Sequence, residues 1–203
     1  GAYNNIYESR NKINENGVLA WSSGNHAQGV AEAASIFKIK STIIMPKDAP
    51  KIKILGTKSR GSKIIFYDRK KENRVEVGKQ IAKDKKLLII PPYDHIHTIS
   101  GQGTVGLEIA NQIKKYKLRP NNLLIPTGGG GLISGTSIAI KNKYKNCNIF
   151  SVEPKYFDDT ARSLKVKNIV PNKSNYSSIC DSLLSEQPGK ITFDINKKLL
   201  TGG

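Results

Sequence analysis

Four consecutive glycines, Gly128 to Gly131, are the most distinctive chemical feature of the sequence. They follow a strand-like apolar run, Leu123 to Pro126, and precede a stretch with helical spacing. Glycines let the backbone approach a ligand closely, and a helix start adds unpaired N–H groups and the positive end of the helix dipole. The turn therefore predicts an anion site, most often for phosphate. A flexible loop without a ligand is the alternative, and the strand before and the helix after favour the phosphate.

A second turn of the same kind, Ser22 to Gly29, reads Ser-Ser-Gly-Asn-His-Ala-Gln-Gly. Its hydroxyls, amide and imidazole stand where another strand ends and another helix begins. This chemistry suits a carboxylate, with Asn25 left to donate a further hydrogen bond. An N-cap formed by Ser23 or Asn25 is the plainer interpretation, but a cap accounts for one polar residue and not for five.

Two weaker signals involve acidic residues and histidines. Glu153 and Asp159, with a backbone carbonyl between them, could offer oxygen ligands to Mg²⁺ or Ca²⁺. Acidic residues near a helix start are more often partners of the helix dipole, and spacing alone favours that interpretation. His95 and His97 lack the further ligands of a zinc site, so we expect them to face solvent.

The elements that would position these turns alternate between strand and helix. Strands are predicted at 18–22, 41–45, 63–67, 87–90, 122–126 and 148–152. Helices are predicted at 25–37, from Ile52 towards Gly61, at 75–83, around Val105 to Ile113 and at 132–144. Such alternation with short polar connections predicts an α/β fold with parallel sheets and helices on both faces. In open sheets of this kind, ligands bind beyond the carboxyl ends of the strands.

Composition limits the classes of partner. The 203 residues carry a formal charge of +17, which makes nucleic acid a partner to consider. The basic residues are mostly lysines scattered over nearly every segment, and no aromatic-rich strand is present to stack bases, so we expect no nucleic-acid partner. No apolar run approaches the roughly 20 residues that a membrane-spanning helix needs. Cys147 and Cys180 have no metal-ligand spacing, which predicts buried, reduced thiols and a cytoplasmic protein.

At these turns the sequence resembles the threonine/serine dehydratase and serine racemase branch of the fold type II pyridoxal-phosphate enzymes. The matching motifs are S-x-G-N-H-A/G-Q at Ser22 to Gln28, G-Q-G-T at Gly101 to Thr104, and the tetraglycine loop. The related sulfhydrylases and cystathionine synthases have Thr where His26 stands, which moves the match towards dehydratases and racemases. The implied architecture is the two-domain fold of the tryptophan synthase β type.

The resemblance implies a role for each motif. Gly128, Gly129, Gly130, Gly131 and Leu132 would hold the phosphate of pyridoxal 5′-phosphate through backbone amides. Asn25 would hydrogen-bond the 3′-oxygen of the cofactor. The substrate carboxylate would be bound by Ser22, Ser23, Asn25 and His26. Glu153, the carbonyl of Phe157 and Asp159 are similar to the divalent-metal site of serine-racemase-like members, which raises the case for Mg²⁺ or Ca²⁺.

The implied reaction is a β-elimination that converts L-threonine or L-serine into 2-oxobutyrate or pyruvate and ammonia. Many dehydratases have Ala where Ser23 stands, whereas racemases use a Ser there as acid/base on the second face of the carbanion. An amino-acid racemase and a 3-hydroxyaspartate dehydratase therefore remain alternatives, with a basic nucleic-acid-binding module as a more distant one.

The resemblance also implies how this chain relates to a whole enzyme. The family's Schiff-base lysine lies in a K-x-R-G-A element, and this chain opens at the Gly1-Ala2 of that element. We therefore expect a fragment that lacks the lysine and the C-terminal part and is inactive alone. The expected small domain covers 17–99, and 1–16 with 100–203 form part of the cofactor-binding domain, with the cofactor between them. The family suggests a homodimer.

Overall fold

The computed structural model describes residues 1–173 and 176–203 and divides them into two compact units, Gly1–Pro92 and Tyr93–Gly203. Each unit alternates strands and helices, and every strand pairing is parallel. The predicted fold class, α/β with parallel sheets, is confirmed. The predicted domain bounds, which count residues 1–16 with 100–203, stay a prediction.

The first unit is a four-stranded parallel sheet with the strand order β3-β2-β1-β4. Its elements are α1 (Ala2–Ser9), β1 (Val18–Trp21), α2 (Asn25–Ile36), β2 (Ser41–Pro46), α3 (Lys51–Lys58), β3 (Lys63–Tyr67), α4 (Arg74–Asp84) and β4 (Leu88–Ile89). A single turn of 3₁₀ helix, Arg10–Lys12, follows α1.

Both faces of this sheet are covered. Successive side chains of a strand point to opposite sides, and those of β1 enter two different apolar clusters. Val18 and Ala20 pack in one apolar cluster with Val30 of α2, and Ile6 of α1 joins the same cluster. Leu19, from the same strand, belongs to a second cluster that includes Ala82 of α4. This double burial explains why β1 is entirely apolar and why β2 is buried along its whole length, with an apolar run after Ser41 and Thr42. The sheet thus holds the end of β1, where the Ser22 turn begins, in a fixed position.

The second unit, as far as its residues are described, contains a two-stranded parallel sheet and four helices. Its elements are α5 (Ile96–Lys115), β5 (Asn122–Pro126), α6 (Gly131–Lys143), β6 (Asn148–Val152), α7 (Asp159–Val166) and α8 (Lys190–Leu199). Ile125 of β5, Ile149 of β6 and Ile133 of α6 form the buried centre of this unit. The glycine turn lies between β5 and α6, as the sequence predicted.

Helix α5 is longer than its apolar stripe indicated, because it begins at Ile96 and includes the whole Gly101 to Thr104 motif. Glycine is a poor helix former, and here it allows two helices to approach closely. A Cβ atom on Gly106 would lie 2.6 Å from the carbonyl oxygen of Thr136 in α6. Within the motif itself, a Cβ atom on Gly103 would lie 3.3 Å from the Gly135 carbonyl oxygen, so Gly103 and Gly106 both serve packing against α6.

Both cysteines are free thiols, and Cys147 is buried as expected. The expectation for Cys180 is wrong, because this residue is exposed. Among the helices in the described part of the chain, none has the length and apolar character needed to cross a membrane.

Candidate functional site

The glycine turn leaves the start of α6 open to an anion. Gly130 precedes the helix with a φ of 94°, and no side chain caps the helix or places an acidic group in its first turn. Within residues 1–173 and 176–203, the N–H groups of Gly131, Leu132 and Ile133 donate no hydrogen bond. Unpaired first-turn amides at the positive end of a helix are the groups that bind phosphate in proteins.

The aromatic ring of Tyr93 lies against this turn and leaves no room for side chains on it. A Cβ atom on Gly129 would lie 2.3 Å from a carbon of that ring, and one on Gly131 would lie 2.9 Å from the Tyr93 Cα atom. The turn therefore needs glycine at both positions for steric reasons, whereas Gly130 between them needs it for its φ of 94°.

Helix α8 supports the same turn from behind, a contribution that the sequence did not reveal. The carbonyl oxygen of Gly129 accepts hydrogen bonds from the N–H of Gly189, at 3.1 Å, and from Thr192 Oγ1, at 2.8 Å. Asp94 caps α8 by accepting from the N–H groups of residues 190, 191 and 192. In the sequence, only Gly189 and Asp94 could have indicated these contacts, and neither residue is part of a recognisable motif.

In the first unit, the Ser22 turn opens α2 in a similar way. Gly24 precedes the helix, and α2 has neither a side-chain cap nor an acidic residue in its first turn. Ser22 Oγ accepts from the N–H of Gly24 at 3.1 Å and keeps its own hydrogen to donate. In the part of the chain that the structure describes, the side chains of Ser23 and Asn25 make no hydrogen bond. The turn thus presents amides and three polar side chains to an anion.

The ring of His26 is hydrogen-bonded to the backbone, and this limits how the side chain could bind a ligand. Its Nε2 atom lies 3.0 Å from the carbonyl oxygen of Ile90, and because a carbonyl only accepts, Nε2 carries the hydrogen. Burial lowers the pKa of His26 to about 4. The neutral ring then has only an acceptor at Nδ1, so an anion at this turn would be bound by the backbone N–H of His26 and not by its side chain.

This arrangement predicts a pH dependence of folding. The unfolded chain protonates His26 near 6.5, its ordinary pKa, whereas the folded chain resists protonation until about 4. Below pH 6.5, protons therefore bind the unfolded state preferentially, and His26 lowers the free energy of unfolding as the pH falls towards 4. Urea titrations of the wild type and His26→Asn should differ by an amount that changes across this window. A difference that is constant from pH 7 to pH 4 contradicts the assignment.

The acidic cluster of the second unit combines a helix cap with a deeply buried carboxylate. Glu153 accepts from the N–H groups of Thr160 and Ala161, at 2.8 and 2.9 Å, at the start of α7. Asp159 is fully buried, and its Oδ1 accepts from Asn172 Nδ2 at 2.6 Å. Asp159 Oδ2 has no partner among the described residues.

The two carboxylates of this cluster, Glu153 and Asp159, repel each other. Burial, and then the neighbouring negative charge of Glu153, raises the pKa of Asp159 to about 7. Burial also raises the pKa of Glu153, against the hydrogen bonds that it accepts. The spacing had favoured dipole partners, and Glu153 fills that role. Asp159 with its unpartnered oxygen has instead the character of a site for a cation or a proton.

His95 and His97, at the start of α5, serve local structure. His95 Nδ1 accepts from the backbone N–H of His97 at the helix start, and both rings are partly buried. The expectation that they face solvent is therefore only half right. No group of three or more His, Cys, Asp or Glu side chains within the described ranges is arranged to hold a metal ion. The candidate metal site, with two carboxylates and a carbonyl, lies outside that definition.

The chain is similar to known proteins over nearly its whole length. The chain is 38% identical over 198 residues to the serine racemase of Schizosaccharomyces pombe, covering 98% of this chain and 60% of the relative. It is 37% identical to the L-threo-3-hydroxyaspartate ammonia-lyase of Saccharomyces cerevisiae, covering 96% of this chain and 58% of the relative. The L-threonine ammonia-lyase of Thermotoga maritima is 35% identical, with 98% and 48% covered. The chain thus spans about 60% or less of the length of these relatives.

Solved structures and a family model lead to the same group. The processed form of threonine deaminase isoform 2 from Solanum lycopersicum superposes with a TM-score of 0.86 at 33% identity, covering 99% of this chain and 54% of that one. Maize serine racemase gives 0.89 at 34% identity, covering 99% and 59%. Residues 1–202 match the family described as pyridoxal-phosphate dependent enzyme. With its open glycine turn and its parallel α/β units, the chain belongs to this family of pyridoxal-phosphate-dependent enzymes.

Proposed function

We propose that the whole protein is an ammonia-lyase that converts L-threonine or L-serine into 2-oxobutyrate or pyruvate and ammonia. The observation that carries this proposal is the pair of uncapped helix starts, one at the glycine turn and one at the Ser22 turn. A phosphorylated cofactor and an amino-acid substrate bring two anions, a phosphate and a carboxylate. The relatives named as ammonia-lyases support the same reaction.

The glycine turn fits the phosphate of pyridoxal 5′-phosphate. Its unpaired amides supply donors, the helix dipole supplies favourable charge, and no acidic residue stands in the first turn. Gly128, Gly129, Gly130, Gly131 and Leu132 would hold the phosphate. When bound, the cofactor supplies an electron sink for the charge that develops on the substrate Cα atom.

The Ser22 turn would hold and orient the substrate. The backbone N–H groups of Asn25 and His26 and the hydroxyls of Ser22 and Ser23 would donate to the substrate carboxylate. Asn25 is exposed at the first position of α2, where its amide would donate to the 3′-oxygen of the cofactor. Charge-assisted hydrogen bonds of this kind fix orientation more strongly than neutral ones.

Ser23 keeps a second reaction open. Its hydroxyl has no partner within the described ranges and could exchange a proton with the substrate Cα atom. A serine racemase is among the most similar relatives. Racemisation is therefore the second candidate function, and Ser23 is the residue on which it depends.

The test is a product analysis of the whole protein that carries this chain. L-Threonine, L-serine and L-threo-3-hydroxyaspartate are each supplied with pyridoxal 5′-phosphate, and 2-oxo acid, ammonia and both enantiomers of the amino acid are measured. The proposal predicts 2-oxo acid and ammonia in equal amounts from L-threonine or L-serine. D-Serine as the main product would replace the lyase by a racemase, and Ser23→Ala should then remove that product selectively.

We also propose a divalent cation at Asp159, with Glu153 and the carbonyl of Phe157 as further oxygen ligands. The residues fit because Asp159 Oδ2 is buried without a partner among the described residues. The Phe157 carbonyl likewise accepts no hydrogen bond from any residue that the structure describes. Three oxygens of this kind suit Mg²⁺ or Ca²⁺.

This proposal predicts that millimolar Mg²⁺ or Ca²⁺ raises the melting temperature of the wild type and not that of Asp159→Asn. Asp158→Asn is the matched control, because it removes the same charge from the neighbouring residue, which pairs with Arg162 at 3.2 Å. The control should keep the cation response. An equal response in all three proteins contradicts the site.

A further inference from the structure

The structure assigns to Thr192 of α8 a positioning role: its hydroxyl orients the Gly129–Gly130 peptide so that the Gly130 N–H faces the anion. This inference rests on the proposed phosphate site at the glycine turn. It concerns a residue about 60 positions further along the chain, outside the motifs that the sequence displays.

Two donors at the start of α8 anchor the carbonyl oxygen of Gly129. Gly129 O accepts from the N–H of Gly189 at 3.1 Å and from Thr192 Oγ1 at 2.8 Å. The same hydroxyl lies farther, at 3.1 Å, from its other acceptor, the Gly189 carbonyl oxygen, so the Gly129 carbonyl is the nearer partner for its one hydrogen. Thr192 is fully buried, so water does not compete for this hydrogen bond. Two donors from one helix start therefore fix the direction in which this carbonyl points.

Because the peptide bond is planar, the direction of the Gly129 carbonyl also sets the direction of the Gly130 N–H. In a trans peptide, the C=O of one residue and the N–H of the next point in opposite directions, and the described chain contains no cis peptide. Holding Gly129 O towards α8 therefore turns the Gly130 N–H away from α8. Gly130 has a φ of 94°, and its N–H stands directly before the unpaired amides of α6. Thr192 thus controls the direction of an amide without touching the anion.

Thr192 is itself held in place by hydrogen bonds to the backbone of α8 and between α8 and α6. Asp94 accepts from the N–H of Thr192 at 3.2 Å and from the two preceding amides. Ser134 Oγ in α6 donates to Asn196 Oδ1 at 2.9 Å and so ties α8 to the helix that the glycine turn opens. A Cβ atom on Gly189 would lie 2.7 Å from Thr192 Oγ1, so this glycine permits the close approach. The backbone of Thr192 and the helix that carries it are therefore fixed, and the hydroxyl has room to reach the Gly129 carbonyl.

The experiment compares two ligands that differ only in the phosphate. Dissociation constants of pyridoxal 5′-phosphate and pyridoxal are measured by calorimetric titration for the whole protein and for Thr192→Val and Thr192→Ser. Valine keeps the shape and removes the hydroxyl, whereas serine keeps the hydroxyl. We expect Thr192→Val to weaken pyridoxal 5′-phosphate about tenfold, the loss of one hydrogen bond's free energy. Pyridoxal should change less than about twofold, and Thr192→Ser should bind both as the wild type does.

Thr57→Val is the matched control. Thr57 is also fully buried and its hydroxyl donates to a carbonyl at 3.0 Å, but it lies in α3 of the first unit. This variant measures what the loss of a buried threonine hydroxyl does to the protein in general, and it should bind both ligands normally. If Thr192→Val does not fold, Thr192→Ala carries the same prediction without a branched side chain.

Three results would decide against the inference or its premise. Unchanged binding of pyridoxal 5′-phosphate by Thr192→Val overturns the positioning role. Equal weakening of both ligands also overturns it, because a purely structural role would not discriminate by the phosphate. If the wild type itself binds the two ligands equally, the phosphate site of the proposed function fails, and that outcome is visible before any variant is made.

Discussion

Gly130→Ala is expected to reduce the affinity for pyridoxal 5′-phosphate at least a hundredfold, the largest effect on binding that we predict. Gly130 has a φ of 94°, and an added Cβ atom would lie 2.9 Å from Thr192 Cβ. The left-handed conformation costs a non-glycine residue about 1–2 kcal/mol. Relief of both strains requires the turn to move, and the amides of Gly130 and Gly131 then no longer converge. Calorimetric titration of the whole protein measures the change.

The control for backbone strain alone is Gly61→Ala. Gly61 has a φ of 82°, but a Cβ atom there would meet nothing within 4 Å. It should lose a similar amount of stability through strain and still bind pyridoxal 5′-phosphate as the wild type does. Equal affinity of Gly130→Ala and Gly61→Ala would show that the glycine turn does not hold the phosphate.

Gly135→Ala is expected to have the largest effect on stability. A Cβ atom on Gly135 in α6 would lie 2.2 Å from the Ile99 carbonyl oxygen and 2.6 Å from the Gly103 nitrogen, both in the backbone of α5. Backbone atoms of a helix cannot yield as a side chain does, so the two helices must separate. We expect a loss of about 3 kcal/mol, at the upper end for overpacking, and a melting temperature about 10 °C lower.

Gly103→Ala is the matched control on the opposite helix. A Cβ atom there would lie 3.3 Å from the Gly135 carbonyl oxygen, a tight contact that a small adjustment relieves. Thermal denaturation followed by circular dichroism should show a clearly smaller loss than for Gly135→Ala. Equal melting temperatures for the two variants would contradict the close packing of α5 on α6.

The elements that the sequence predicted well are those with apolar buried faces. The strands at 63–67, 122–126 and 148–152 have the observed bounds, because continuous apolar runs follow from burial on both sides. Helices α7 and α8 were not predicted, and the reason is physical. Their buried faces are largely polar: Asp159, Thr160 and Ser163 in α7, and Thr192 and Asn196 beside the apolar Phe193 in α8. A hydrophobic period does not reveal a helix whose inward face is mostly polar.

The candidate site shows the same division. The glycine turn and the Ser22 turn could be predicted because each is a continuous segment with an unusual set of residue types. The support from Asp94 and Thr192 depends on contacts between residues about 100 positions apart, as the N–H of Thr192 bonded to Asp94 shows. The role of the His26 ring was also hidden, since its partner, the Ile90 carbonyl, is a backbone atom that any residue would supply.

The decisive experiment reconstitutes the whole protein with pyridoxal 5′-phosphate or with pyridoxal and then assays 2-oxobutyrate from L-threonine. We predict 2-oxobutyrate and ammonia with pyridoxal 5′-phosphate and little or none with pyridoxal, because only the former brings the phosphate that the glycine turn would hold. Equal activity with both, or no binding of pyridoxal 5′-phosphate at all, would contradict it.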